Sequence, residues 1–392
     1  MSKSGYRKVP LQITQVRESE GETFTRVFDA RKGRGAVSNM QGRYEVEQRV
    51  GFDDGWGGPE TEAGDGEPAA VRTIVTEETA KSIISRNKSP DLPFNVSLNP
   101  YRGCEHGCVY CFARPTHAYL GLSPGLDFES RIFAKTNAPE LLLRELAKPS
   151  YVPETITVGI NTDAYQPCER ELQITRRVLQ ILSDCRHPAA LITKSSLIER
   201  DIDILAPMAE RRQMIAAVTI ATLDPALARK LEPRAATPTR RLRVIRTLTE
   251  AGIPVSVSVA PVIPFINEPE LEDIIAAAVD AGARRAGYTV LRLPWEVNPL
   301  FQQWLQTYFP ERANRVMNRI REMRGGKDND SDFATRMRGE GVWAELIRQR
   351  FEKAVQRSGM HQHGWFDMLD ASQFVAPARP ARASPSGQFN LF

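Results

Sequence analysis

Cysteines at positions 104, 108 and 111 stand in the run Arg102-Gly103-Cys104-Glu105-His106-Gly107-Cys108-Val109-Tyr110-Cys111-Phe112, four and then three residues apart. Thiolates are soft ligands, and three of them in a glycine-bearing loop can each hold one iron of an iron–sulfur cube. The fourth iron is then left without a protein ligand, whereas a structural or electron-carrying cluster is normally held by four cysteines. An iron with an open position can bind a small molecule. Zinc is the other reading of the same thiols. It needs a fourth ligand, for which His106 or His117 is at hand, but the second CxxC or HxxxH pair that completes most such sites is absent.

Such a loop needs a scaffold. Between about residues 94 and 295, apolar or β-branched runs at 95–99, 155–160, 189–193, 214–222, 254–263 and 285–293 alternate with segments of helical period. The cleanest helical pattern is Leu271, Ile274, Ile275, Ala278 and Val279, introduced by Pro269-Glu270 and stopped by Gly282. Six strand–helix units in series predict parallel strands with right-handed crossovers, two units short of an eightfold barrel. The expected fold is therefore α/β, a partial (β/α)6 TIM-like barrel with an N-terminal extension and a C-terminal helical segment.

Ligands of parallel sheets sit at the carboxyl ends of the strands, so the polar residues there are candidates. They are Asn161, Thr162 and Asp163 after the second run, Lys194 and Ser195 after the third, and Ser258 on the fifth; Tyr288 and Arg292 stand near the end of the sixth. Cys168 lies just past the second strand's polar loop, and Cys185, at the end of an amphipathic helix pattern, reads as a core residue.

The 392 residues carry 52 Lys+Arg against 48 Asp+Glu, a formal charge of +4 that is compatible with a nucleic-acid partner without requiring one. Five cysteines in so long a chain are no disulfide framework, and no apolar run approaches a membrane span, so a reducing, cytoplasmic setting is expected. Residues 1–50 read as a basic arm; Arg31-Lys32-Gly33-Arg34-Gly35 is expected to be solvated, with phosphate clamping as the second reading. Residues 51–70 hold six glycines and six carboxylates with no Lys or Arg, and read as a linker. The barrel is placed at 71–295, a helical extension at 296–370, and a disordered tail at 371–392. Within the extension, Arg312, Arg315 and Arg319 fall on one helical face, either a solvated face or a track for a phosphate backbone.

The cysteine spacing, with Tyr110 immediately before the third thiol, resembles the radical S-adenosylmethionine (radical SAM) enzymes, and the likeness runs from about residue 75 to 295. More narrowly the chain is similar to the spore photoproduct lyase-like, or DNA repair photolyase-like, branch. That likeness rests on Asn99-Pro100-Tyr101-Arg102-Gly103-Cys104, Thr162-Asp163-Ala164-Tyr165-Gln166-Pro167 and Thr193-Lys194-Ser195. The resemblance implies a [4Fe-4S] cluster on Cys104, Cys108 and Cys111, and SAM on its open iron. Flavodoxin or ferredoxin would be the one-electron donor, with methionine and a hydrogen-abstracting 5′-deoxyadenosyl radical as products. It implies adenine near Tyr110, the SAM amino group at Asn161, Thr162 and Asp163 in place of the family's usual Gly-Gly-Glu, and the SAM carboxylate at Lys194. Ser195 and Ser258 join this cofactor set. Cys168 is the candidate hydrogen donor, although it lies farther along the chain than the donor attributed to the lyase.

The last residues, Gln388-Phe389-Asn390-Leu391-Phe392, resemble the bacterial sliding-clamp-binding pentapeptide, in which Gln388 would hydrogen-bond while Leu391 and Phe392 enter an apolar pocket. The leading expectation is a radical SAM enzyme acting on a damaged or modified DNA base and recruited by the clamp. Modification of RNA or protein is the second, and a clamp-associated, non-catalytic iron–sulfur protein that binds DNA or senses redox state is the third.

Overall fold

The computed structural model describes residues 31–45, 71–360 and 364–378. The tail motif Gln388, Leu391 and Phe392 and the expected linker at 51–70 lie outside the described residues. Among the described residues the strands form two sheets. In the smaller one, β1 (Ile74–Glu78) pairs in parallel with β5 (Arg131–Lys135), which pairs antiparallel with β4 (Tyr101–Arg102). The larger sheet sets β3 (Val96–Leu98), β6 (Ile156–Val158), β7 (Ala189–Thr193), β8 (Met214–Thr219), β9 (Val255–Val262) and β10 (Arg285–Val290) side by side in chain order. All six are parallel, and β2 (Ile84–Arg86) lies antiparallel on the free edge of β3. These are the six runs read from the sequence. Because β10 and β2 are the two ends of the strand order, the sheet stays open as a partial barrel.

Strand parity sorts the side chains between two faces. Leu98, Val158, Leu191, Ala216 and Val255 form one register row, and all lie in the large core under the helices. The opposite face is the barrel interior. Its rows read Ser97, Thr157, Ala190, Ile215; then Ile192, Ala217, Ser256, Arg285; then Thr219, Ser258, Gly287. Apart from Ile192 and Ile215 the interior rows are small or polar, which lets the sheet curve while leaving room at its centre. The helices close the outer face through the expected stripes, such as Leu271, Ile274, Ile275 and Ala278, each large aliphatic contributing roughly 1.5–3 kcal/mol on burial. That helix ends where expected, with Gly282 at φ 106°, which a side chain would strain.

A second core lies between the cysteine loop and the C-terminal helices Val297–Tyr308 and Pro310–Glu322. It joins Cys108, Val109 and Tyr110 to Phe301, Trp304, Val316 and Ile320. Among the described residues no helix is long and apolar enough to cross a membrane.

Two boundary expectations change. Arg34 is not a solvated arm residue: it is buried and donates to the carbonyls of Glu129 (2.6 Å) and Val71 (2.6 Å), which ties the N-terminal segment under the cysteine loop. The tail does not begin at 371. Backbone N–H groups of Asp370 and Val375 donate to Arg212 and Cys185 at 2.8 and 2.9 Å, and Phe374 packs against Tyr151 and His187, so the chain is docked on the body through this stretch.

Candidate active site

The cysteine loop follows β4 at the carboxyl end of the barrel, and two glycines shape it. Gly103 and Gly107 have φ of 76° and 67°, and a Cβ on Gly107 would sit 2.8 Å from the Glu129 carboxylate. Space is tightest at Gly35, where a Cβ would lie 1.8 Å from the Gly107 carbonyl. Beneath the loop the fully buried Arg114 donates to the carbonyls of Cys108 (2.9 Å) and Gly107 (3.2 Å) and pairs with the equally buried Glu129 at 2.5 Å. Glu129 also accepts from the backbone of Gly35 and Ala36. A buried pair of this kind needs every lone pair and proton satisfied, and here the partners that satisfy it come from three separate segments.

All three thiols are unpaired; Cys104 and Cys108 are buried and Cys111 partly so. Burial pushes the Cys104 thiol well up and that of Cys108 to about 12. Without a cation on them they stay protonated, and a bound metal is what would hold them as thiolates. The zinc reading fails on its fourth ligand. His106 Nδ1 is turned to Asp163 at 3.2 Å, and His117 is buried behind the loop with Nε2 on the Arg131 carbonyl. Among the described residues no three His, Cys, Asp or Glu side chains gather round one ion position, which a cube with one cysteine on each of three irons does not require.

Asp163, expected as a cofactor contact, is instead fully engaged with protein. One oxygen accepts from Thr193 Oγ1 (2.8 Å) and Tyr165 N (2.9 Å), and the other from Lys194 N (2.8 Å) and faces His106. Burial opposes its charge, but His106 and these donors outweigh it and hold the carboxyl well below its usual range. Thr162 likewise turns inward and donates to the Gly103 carbonyl at 2.6 Å. Of the three residues, exposed Asn161 keeps its side chain uncommitted among the described residues; its backbone N–H is held by Asn99 at 2.8 Å. Ser195 caps the short helix Ser196–Asp201 by accepting from Leu197 N at 3.1 Å, a structural use of the hydroxyl. Ser258 stands on the interior face as expected.

Lys194 continues the interior parity of Ala190 and Ile192. Its Nζ lies 5.8 Å from the Tyr110 ring centroid, and no carboxylate is within ion-pair distance among the described residues. Burial disfavours its charge, yet the Cys108 and Cys111 sulfurs, once held as thiolates, together with the Glu232 carboxylate more than offset this and raise its pKa. An ammonium beside two cluster thiols and without a direct partner suits an anionic ligand group, so the donor set and this cation both fit a cluster with SAM.

Two residues of the site carry no sequence signal. Buried Glu232 accepts from the Tyr110 hydroxyl and from Arg241, and Arg241 donates onward to the Thr219 carbonyl at the end of β8 (3.0 Å). This network locks the aromatic ring of the cysteine loop onto the rim of the barrel. Glu232 and Arg241 are single charged residues outside any motif, so nothing in the sequence distinguishes them.

Tyr288, Arg292 and Cys168 remain. Tyr288 points to the outer face and packs on Phe351, with ring centroids 4.6 Å apart. Arg292 lies over Phe112, the residue after the third cysteine, at 5.9 Å. Cys168 packs against the main core; burial, then Glu105 and Glu169, push its thiol up to about 12.

Comparison with known proteins agrees with this arrangement at the level of family. The model of the Radical SAM superfamily matches residues 98–278. An uncharacterised protein of Mycobacterium tuberculosis is 37% identical over 234 residues, 58% of this chain and 69% of the relative. One from Methanocaldococcus jannaschii is 28% identical over 191 residues, 49% of this chain and 68% of its own. Among solved structures, a mutant of spore photoproduct lyase aligns with a TM-score of 0.48 at 13% identity, over 73% of this chain and 80% of that one.

Proposed function

Because the chain belongs to the radical SAM superfamily, we propose that it is an enzyme that cleaves SAM reductively and abstracts hydrogen from DNA, at a damaged or modified base. Members of this superfamily use a [4Fe-4S] cluster and SAM. When bound, they supply reductive scission of a carbon–sulfur bond and a carbon radical that removes a hydrogen atom.

The observation that carries the enzymatic reading is Lys194, an ammonium beside Cys108 and Cys111 that has no ion-pair partner among the described residues. Cys104, Cys108 and Cys111 would hold three irons, and Arg114 with Glu129 fixes the loop that presents them. Lys194 would take the SAM carboxylate and Asn161 its amino group. Ser258, inside the barrel, and Tyr110, held by Glu232, would flank its nucleoside. The nucleic-acid substrate is supported by the net charge of +4, the arginine-bearing helix Pro310–Glu322 and the clamp-like Gln388, Leu391 and Phe392. Flavodoxin or ferredoxin is the proposed electron donor.

The test is anaerobic. Reconstituted, reduced protein is given SAM, with and without ultraviolet-irradiated DNA, and 5′-deoxyadenosine is measured for the native chain and Cys108→Ala. Formation by the native chain alone, stimulated by the irradiated DNA, supports the proposal. Stimulation by RNA or protein extract instead moves the substrate to the second class. No product from a fully loaded, reduced cluster overturns the enzymatic reading and favours a sensing role. Deleting 388–392 should abolish retention on an immobilised bacterial clamp.

A further inference from the structure

The loop after β9 carries Phe265, a half-buried aromatic in the same apolar cluster as Cys108, Tyr110 and Cys111. From it a stacked row runs outward across the C-terminal helices. Arg315 lies over the Phe265 ring at 4.0 Å, and Arg319 stands 4.9 Å from that ring and 3.3 Å from the ring of Trp343, which is 39% exposed. Arg312 adds a contact to the Phe265 carbonyl at 3.5 Å. Carboxylates border the row, among them Glu268, which accepts from the Phe265 N–H at 3.4 Å. Glu322 pairs with Arg319 at 2.9 Å, and Glu311 sits beside Arg312 in sequence. Arg312 and Arg315 are exposed, and no carboxylate pairs with either among the described residues.

We propose that Trp343, Arg319, Phe265, Arg315 and Arg312 form a docking strip for single-stranded DNA that leads to the cysteine loop. The assignment to DNA rests on the substrate reading above; the strip itself rests on charge and aromatic geometry. Unpaired guanidinium groups neutralise phosphates, and an exposed aromatic face stacks a base whatever its identity. A double helix hides its base faces, so an exposed tryptophan among arginines suits unpaired strands. Arg319, held against both rings, is already ordered, and binding need not immobilise it.

The experiment is fluorescence anisotropy of a labelled oligothymidylate of about 16 nucleotides with full-length, cluster-loaded protein across a salt series. Trp343→Ala should weaken binding on the order of tenfold. The doubly substituted Arg312→Gln, Arg315→Gln protein should flatten the slope of log affinity against log salt by about 1.4, from roughly 0.7 per phosphate contact on single strands. These two arginines are exposed and pair with no carboxylate among the described residues, so this variant tests the strip even if Trp343→Ala unfolds. The exposed pair Arg243→Gln, Arg246→Gln removes equal charge from the helix Pro238–Glu250 and should leave the slope unchanged. Equal slopes for both double variants overturn the strip, and tighter binding of oligouridylate overturns its assignment to DNA. Binding needs no turnover, so a strip that behaves as stated while DNA fails to stimulate 5′-deoxyadenosine formation overturns only the substrate reading.

Discussion

The carboxylate of Asp163 accepts the backbone N–H of Lys194 at 2.8 Å with the same oxygen that faces His106 of the cysteine loop at 3.2 Å. The end of β6 thereby sets both the cluster loop and the cation expected to receive SAM. Asp163→Asn keeps the shape but replaces an acceptor oxygen with a donor facing N–H groups. It should lower stability by about 2–4 kcal/mol and reduce iron bound per chain, read by urea unfolding and iron assay. Native stability with full iron loading would contradict this role.

Arg114 supports the loop through two of its carbonyls and pairs with Glu129 in full burial. Arg114→Lys retains the charge but cannot reproduce a planar fork that reaches several acceptors at once. We expect a loss of about 3–5 kcal/mol and poor cluster retention, measured by chemical denaturation and by the visible absorbance of the reconstituted protein.

Lys194 has no ion-pair partner among the described residues, and buried Glu232, the carboxylate nearest to it, keeps Arg241 when the lysine is removed. Lys194→Gln should therefore keep iron content near native while weakening SAM binding roughly 10- to 100-fold, from about 1.5–3 kcal/mol for a charge-assisted hydrogen bond. Anaerobic equilibrium dialysis of SAM is the measurement, and unchanged affinity would remove Lys194 from the cofactor set.

His187 gives the fold a pH dependence away from the site. Nδ1 is 2.9 Å from the Pro188 carbonyl, so it carries the proton, and Nε2 accepts the Tyr151 hydroxyl at 2.7 Å, an arrangement only the neutral ring satisfies. Burial pushes its pKa from 6.5 down to about 4. The unfolded chain then binds the proton first, so this contribution is complete above pH 6.5 and is lost as pH falls towards 4. It amounts to about 3 kcal/mol at most. Urea unfolding at several pH values should show the decline, and His187→Gln should make it shallower by roughly half, because burial also pushes His117 down to about 4.

The sequence by itself determined the architecture and the chemical class. The strands and helices were legible because their patterns are local. Period-two and period-3.6 burial is written within each segment, and β3, β6, β7, β8, β9 and β10 fall inside the six predicted runs. The cysteine spacing needs only one loop, and the parity of β7 already aims Lys194 inward. What tertiary structure decided is where charged side chains find their partners. Tyr110 meets Glu232 across 122 residues, and Gly35 meets Glu129 across 94. Asp163 and Thr162 looked like ligand contacts, but the folded chain places the cysteine loop and β7 within their reach, and they bond to protein. Arg34 looked solvated because its neighbours in sequence are polar, yet it fills a buried slot under the loop. A hydrogen bond between distant segments leaves no periodic trace in either one. It exists only once packing has brought donor and acceptor together and removed the water that would otherwise satisfy both.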